Sequence, residues 1–160
     1  MSARGEMDGG NTYAAIRQMV PQDAAELVGI LQESPEASLW SQDGILGLVE
    51  SGMALVAERD GHAVGFLIGR AVAGEFEVLN MAVARAHRRR GIAGRLVGEA
   101  IIWSSKAGAM QAHLEVRASN EAAISLYVRH GFRPSGRRER YYQHPSEDAI
   151  QLTRDAKGTT

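Results

Sequence analysis

The sequence predicts a single α/β domain with a mixed central sheet flanked by helices. Three observations carry this reading. Two apolar runs meet at Asp60-Gly61, a dipeptide that closes antiparallel hairpins. Later segments alternate strand, helix, strand, the pattern of parallel crossovers. The chain has 160 residues, 44% hydrophobic and 23% charged, enough for one globular core and hardly for two.

The elements follow in order. Tyr13 to Met19 reads as a strand. Pro21 and Asp23 open a helix whose stripe is Ala24, Ala25, Leu27, Val28 and Leu31, and Pro35 closes it. Ser41 and Asp43 can cap a second, short helix with Ile45, Leu46 and Val49 on one side. Met53 to Glu58 and Ala63 to Ala71 are the hairpin strands; Ala73-Gly74 turns the chain into a third, Glu75 to Val83. From Ile92 the apolar positions Ile92, Ala93, Leu96, Val97, Ala100 and Ile101 repeat at helical period. Met110 to Arg117 alternates, with Leu114 and Val116 on one face and His113, Glu115 and Arg117 on the other. Ser119-Asn120 caps a helix that ends at Gly131. Phe132 to Tyr142 and Ala149 to Thr153 close the sheet, which gives the order βααβββαβαββ. The expected layout is a loose tail over 1–11, one domain over 12–154 and a second tail over 155–160.

Composition removes whole classes of chemistry. With no Cys there is no disulfide, thiolate metal site or cysteine nucleophile. Eighteen Lys+Arg against nineteen Asp+Glu give a net charge of -1, which argues against a surface built for DNA or anionic membrane. No apolar run approaches the ~18 residues of a membrane span, and the first twelve residues lack a signal-peptide core. A cytoplasmic protein is expected. The five His show no metal spacing and read as surface residues, with His113 able to line a site beside Glu115; no metal is expected.

The most informative segment is Arg88-Arg89-Arg90-Gly91-Ile92-Ala93-Gly94, between a strand and a helix. A helix start turns unpaired N–H groups and partial positive charge outward, and glycine lets a phosphate approach them. Arginines at that end oppose the dipole, and Gly94 and Gly98 each cost a helix about 1 kcal/mol relative to Ala. Such local losses mark a site. The spacing is neither a P-loop nor a dinucleotide fingerprint. A diphosphate suits the loop. The alternative, an RNA surface over Arg85 to Arg95, is weakened by the scarcity of nearby aromatics and the near-neutral charge.

Arg88-x-x-Gly91-x-Ala93, after the strand Val78 to Val83, resembles the acyl-CoA loop of the GCN5-related N-acetyltransferases. The run Leu114 to Asn120, with Leu126-Tyr127, Gly131-Phe132, Arg137-Arg138, Tyr141-Tyr142 and Glu147-Asp148-Ala149, is similar to the ribosomal-protein-alanine branch, the RimI type. The likeness is dense from Glu75 to Leu152 and loose before it. It departs at Ala84-Arg85-Ala86-His87, where the family often has an Asp-Pro turn, and fits weakly over Ser34 to Leu46 apart from Trp40-Ser41. It implies a fold in which two parallel strands splay apart around acetyl-CoA. It further implies that Met81, Ala82 and Val83 offer backbone hydrogen bonds to the pantetheine and polarise the thioester. Arg89, Arg90, Gly91, Ile92, Ala93 and Gly94 would hold the pyrophosphate, and Asn120 would bind the cofactor. Glu115 would be the general base and Tyr127 the general acid. The partner would be a protein or peptide N-terminus, such as that of a small-subunit ribosomal protein, met by a monomer or weak dimer.

The residues agree with those roles. Glu115 sits on the polar face of its strand, and Asn120, Ala123 and Tyr127 share one helix face. Freeing the lone pair of an α-amine at pH 7 costs roughly 1 kcal/mol against over 4 for lysine, a sum that a carboxylate acting through water can supply. Without Cys, direct transfer in a ternary complex is the expected route. Glu75 and Glu77 share a strand face that could meet a cationic N-terminus or simply solvent; the resemblance implies that Arg137 to Tyr142 borders the acceptor cleft, while the residues themselves also suit an edge strand protected by charge. Lysine or small-amine acetylation and a non-catalytic acyl-CoA-binding module are the alternatives.

Overall fold

The computed structural model describes residues 13–156. Among the described residues, seven strands form one sheet: β1 (Ala15–Gln18), β2 (Met53–Arg59), β3 (His62–Val72), β4 (Glu75–Val83), β5 (Gln111–Arg117), β6 (Arg133–Tyr142) and β7 (Glu147–Asp155). The order across it is β1-β2-β3-β4-β5-β7-β6, antiparallel except for β4 beside β5. Four α-helices of the described residues cover it: α1 (Ala24–Gln32), α2 (Gln42–Ser51), α3 (Ile92–Lys106) and α4 (Glu121–Arg129). Element order and mixed sheet are those expected. Among the described residues no helix is long and apolar enough to cross a membrane.

Alternation along the central strands divides the core. Met53, Leu55 and Ala57 of β2 face a cluster that holds Ile92, Leu96, Val97 and Ala100 of α3 and Tyr127 of α4. Ala54 and Val56 face the opposite cluster with Leu27, Ile30 and Leu31 of α1 and Ile45 of α2. One helix pair therefore covers each face. Asp60 and Gly61 both adopt positive φ, 55° and 81°, as a tight hairpin requires. Ala73-Gly74 does the same at 55° and 84°, with alanine tolerated where glycine is usual.

The chain ends differ from expectation. The tail expected over 1–11 lies outside the described residues. The last strand runs to Asp155 rather than stopping at Thr153, so the boundary expected after 154 falls inside a strand. Asp155 pairs with Gln111 of β5, and its carboxylate accepts from Gln111 Nε2 at 2.9 Å. The added residues Glu147, Asp148, Arg154 and Asp155 are charged, so hydropathy gave no sign of the strand there.

The 3₁₀ turn Pro21–Asp23 is anchored by the buried Asp23. Its carboxylate takes both guanidinium nitrogens of Arg17, at 2.8 and 2.9 Å, and the amide of Val20 at 2.8 Å. Arg17, by these hydrogen bonds, holds Asp23 below its ordinary pKa of 3.8. A carboxylate depressed in the folded state stabilises fully above its unfolded pKa and stops doing so as pH falls through the folded value. Urea midpoints are accordingly expected to drop more steeply below pH 3.8 in the wild type than in Asp23→Asn, which lacks the titrating group.

Gly98, inside α3, has no atom beyond its chain neighbours and its own helix backbone within 4 Å of where a Cβ would stand. Gly98→Ala is expected to stabilise by about 0.4–1 kcal/mol, raising Tm by roughly 1–4 °C in a thermal melt. The glycine at 98 is thus not explained by crowding.

Candidate active site

The parallel pair that opens the site is brief. β4 and β5 are in register only at Glu75↔Gln111, Phe76↔Ala112 and Glu77↔His113. Beyond that point the strands part, and the rest of β4 keeps only β3 as a neighbour. A bulge at Leu79, between the pairs Ile68↔Asn80 and Gly69↔Val78, turns β4 there. Gly69 is required at the bend, because a Cβ would meet the Phe76 ring at 2.5 Å and the Glu77 carbonyl at 2.7 Å.

The ladder with β3 decides which amides face the gap. Ala84 N donates to Val64 O at 2.8 Å, so Ala84 sits opposite Val64 in a hydrogen-bonded position. Antiparallel pairs alternate, and the register places Ala82 opposite Phe66 and Asn80 opposite Ile68 in the same phase. Those residues turn their amides toward β3. Met81 and Val83 turn theirs toward the opening. Ala82 was expected to share in backbone binding; it reaches the cleft, but its amide belongs to the ladder.

The first cleft, of about 500 Å³, lies between β4, the loop before α3 and the start of α4. Met81, Ala82 and Val83 form one wall; Arg89, Gly91, Ile92, Ala93 and Gly94 form the next; Asn120 closes the third. Gly91 is the N-cap of α3 in the left-handed region at φ 79°, without a side-chain cap, so the first-turn amides are presented to the cleft. Arg89 also has positive φ, 66°.

The arginines separate by role. Arg88 clips the loop in place, giving hydrogen bonds to Val83 O (2.9 Å), Glu33 O (3.3 Å) and Ser34 Oγ (3.1 Å). Arg89 lines the cleft. Arg90, expected beside the pyrophosphate, instead lies 5.1 Å from the Tyr13 ring centre and outside the lining. Arg95 donates to Ala14 O. Tyr13, distant in sequence, is an aromatic beside the loop after all, with Arg59 3.7 Å from its ring centre. Its hydroxyl meets His87 Nδ1 at 2.9 Å, and His87, read as a surface residue, lines the cleft.

A smaller cavity of about 100 Å³ adjoins the first and shares Met81, Asn120, Ala123, Glu36 and Ala37 with it. Glu115 and Tyr127 both line it, as does Tyr142. Tyr127 is buried, and burial raises its pKa, which keeps the phenol protonated. Its hydroxyl points at Met81 Sδ, 3.9 Å away. The end of α4 places this ring. Phe132 N bonds to Tyr127 O and Gly131 N to Val128 O, with Gly131 at φ 93°, a Schellman turn. Phe132 then packs edge-on to Tyr127 at 5.3 Å. Asn120 caps the other end of α4, Oδ1 accepting from Ala123 N at 3.1 Å, which leaves its amide nitrogen to the cleft that Asn120 lines.

Glu115 is ion-paired with Arg138 and accepts from Gln151 Nε2 at 3.4 Å. Its hydrogen bond with Tyr141 raises that phenol's pKa. Burial first, and then the charge of Glu115, push Tyr142 up to about 12. Glu75 and Glu77 are not part of either cavity; they pair with His113 at 3.2 Å and Arg70 at 3.4 Å. Sequence reasoning missed Arg129, Ser34 and Glu36 in the first cleft and Asn80 in the second. Only the fold brings Ser34 and Glu36, from the α1–α2 connection, to the cleft beside β4, so no local pattern could have marked those two.

The comparisons with known proteins agree with this geometry. The family model described as Acetyltransferase (GNAT) family matches residues 18–132. The chain is 33% identical over 123 residues to the Salmonella typhimurium (strain LT2) ribosomal protein bS18-alanine N-acetyltransferase, spanning 75% of this chain and 83% of that one. It is 32% identical over 142 residues to a Bacillus subtilis (strain 168) protein provisionally named for the same activity, spanning 87% and 93%. The crystal structure of the ribosomal-protein-S18-alanine N-acetyltransferase from Escherichia coli superposes with a TM-score of 0.80 at 29% identity, over 89% of this chain and 94% of that one. A loop that bares helix amides, a strand that bares alternate edge amides and a family match over most of the chain make one conclusion: the chain belongs to the GNAT family of acetyltransferases.

Proposed function

We propose that the chain transfers the acetyl group of acetyl-CoA to the α-amine of a protein N-terminus, an N-terminal alanine of a small-subunit ribosomal protein, in the cytoplasm. The carrying observation is that the two cavities meet at Met81, whose amide faces the junction, with Glu115 and Tyr127 on the walls beyond. The first cleft fits an elongated diphosphate ligand: its volume is that of a cofactor cleft, and uncapped helix amides and Arg89 lie together. Acetyl-CoA supplies an activated acyl group there.

The residues divide the work. The α3 amides and Arg89 hold the pyrophosphate. Met81 and Val83 give edge amides to the pantetheine arm, and Met81 polarises the thioester oxygen. Asn120 donates its amide to the same arm. Glu115 takes a proton from the incoming amine through water, in direct attack within a ternary complex. Tyr127 donates to the departing sulfur. Tyr142, on the wall of the smaller cavity, borders the acceptor's path.

The test is mass spectrometry of a peptide library incubated with acetyl-CoA and the protein. Acetylation at free N-termini, led by Ala, is expected. Acetylation of lysine in peptides with blocked N-termini would overturn the assignment of the acceptor.

A further inference from the structure

Asn80 is buried, at 7% exposure, and both ends of its carboxamide are engaged. Nδ2 donates to Ser38 O at 2.8 Å, in the connection between α1 and α2. Oδ1 accepts from Met81 N at 3.1 Å. The orientation is fixed by its partners: turned over, the amide group would face an N–H and the oxygen would face a carbonyl. Asn80 thus joins two surfaces of the smaller cavity. One is the edge amide assigned above to the thioester oxygen, and the other is the 36–38 segment, in which Ser38 lines the smaller cavity and Glu36 and Ala37 line both.

Those two assignments compete for one hydrogen atom. The Met81 amide faces the opening and already has the Asn80 oxygen as its acceptor. A thioester oxygen that takes this donor leaves Oδ1 without it, and a buried carboxamide oxygen does not stay unpaired. The group is planar and rigid, so Oδ1 cannot turn to another donor without carrying Nδ2 with it. Nδ2 is what holds Ser38.

We propose that Asn80 is a positioning residue that passes the state of the thioester site to the acceptor segment, yielding the Met81 amide to the thioester oxygen and releasing Ser38 as it does so. The proposal rests on the cofactor reading given above. It makes the loaded site and the acceptor wall respond together. A ligand of the same shape without the carbonyl oxygen fills the cleft and leaves Ser38 held.

Acetyl-CoA and the thioether S-ethyl-coenzyme A, which lacks only that oxygen, make the test. Amide hydrogen exchange and the ¹⁵N resonance of Met81 are the readouts. With acetyl-CoA, exchange across residues 36–40 is expected to change about tenfold and the Met81 resonance to move; with the thioether, the change is below about twofold. In Asn80→Ala, acetyl-CoA is expected to bind within about threefold of wild type by calorimetry, and the difference between the two ligands at 36–40 to vanish. An equal response to both ligands, or a difference that survives in Asn80→Ala, overturns the proposal. Should that variant not fold, the two-ligand comparison on the unaltered chain decides alone. Failure of both ligands to protect residues 91–95 removes the cofactor reading and this proposal together. Protection at 91–95 with equal responses at 36–40 removes this proposal only.

Discussion

Replacing Tyr127 by Phe is expected to lower kcat about a hundredfold, the low end of what a positioned proton donor contributes. The affinity for coenzyme A, read by calorimetry, is expected to stay within about threefold. The substitution deletes one oxygen. That oxygen's partner is a thioether sulfur 3.9 Å away, a weak acceptor, so little stability is lost with it. The ring itself is held by other means. The Schellman turn at Gly131 fixes the end of α4, and Phe132 packs edge-on against Tyr127. A fall in kcat with KM unchanged would mean that the lost contact exists only in the transition state. Burial raises the Tyr127 pKa, and this shapes the part proposed for it. A thiol ordinarily ionises near 8.5, so full transfer from this phenol to a free thiolate runs uphill. On the proposed assignment, Tyr127 would hold a hydrogen bond on the sulfur as charge develops there, with complete transfer following only as the thiolate's other contacts are lost. Steady-state thiol release with an Ala-peptide reads the result, and a variant of undiminished rate would leave Tyr127 with a packing role alone.

Much of this arrangement was legible in the sequence because each part had a local signal. The loop before α3 announced itself by setting arginines and Gly91 where a helix begins, and the left-handed φ of Gly91 is what that glycine serves. Strict alternation in β5 put Glu115 opposite Leu114 and Val116, as the burial pattern there repeats. Asn120 and Gly131 marked both ends of α4 and so placed Tyr127. What stayed hidden was pairwise. Alternation cannot say which neighbour a strand's amides address, so Ala82 looked equivalent to Met81 and Val83 until the register with β3 was known. Arg88, Arg89 and Arg90 are alike as sequence. They differ because one reaches a strand carbonyl, one faces the cleft and one meets Tyr13 from the other end of the domain. Asn80 reads as a polar interruption in an apolar strand, and its use appears only when Ser38 is folded against it.

Glu115→Gln is expected to reduce kcat/KM about a hundredfold while leaving coenzyme A binding intact. The difficulty in interpreting such a loss is that Glu115 has a second occupation, its ion pair with Arg138. A glutamine keeps the size and hydrogen-bonding shape but removes both the base and the pair. Arg138 is more than half exposed, so its guanidinium returns to water, and an exposed pair of this kind is worth no more than about 1 kcal/mol of stability. Arg138→Gln separates the two occupations. It breaks the pair and leaves the carboxylate, so a loss below about tenfold is expected if Glu115 serves as base. Equal losses in the two variants would show that the pair, and not the base, is what the reaction needs. The tyrosines give an internal check that Glu115→Gln has changed the local charge. The carboxylate raises Tyr141 chiefly through their hydrogen bond, because a negative neighbour disfavours phenolate. Neutralising it must therefore lower the Tyr141 pKa toward its ordinary 10.0, which ultraviolet titration of the phenols can follow. Tyr142, held at about 12 mainly by burial and only secondarily by this charge, is expected to fall less. A hundredfold loss of rate accompanied by that ordered pair of shifts, and absent from Arg138→Gln, places the function of Glu115 in its carboxylate.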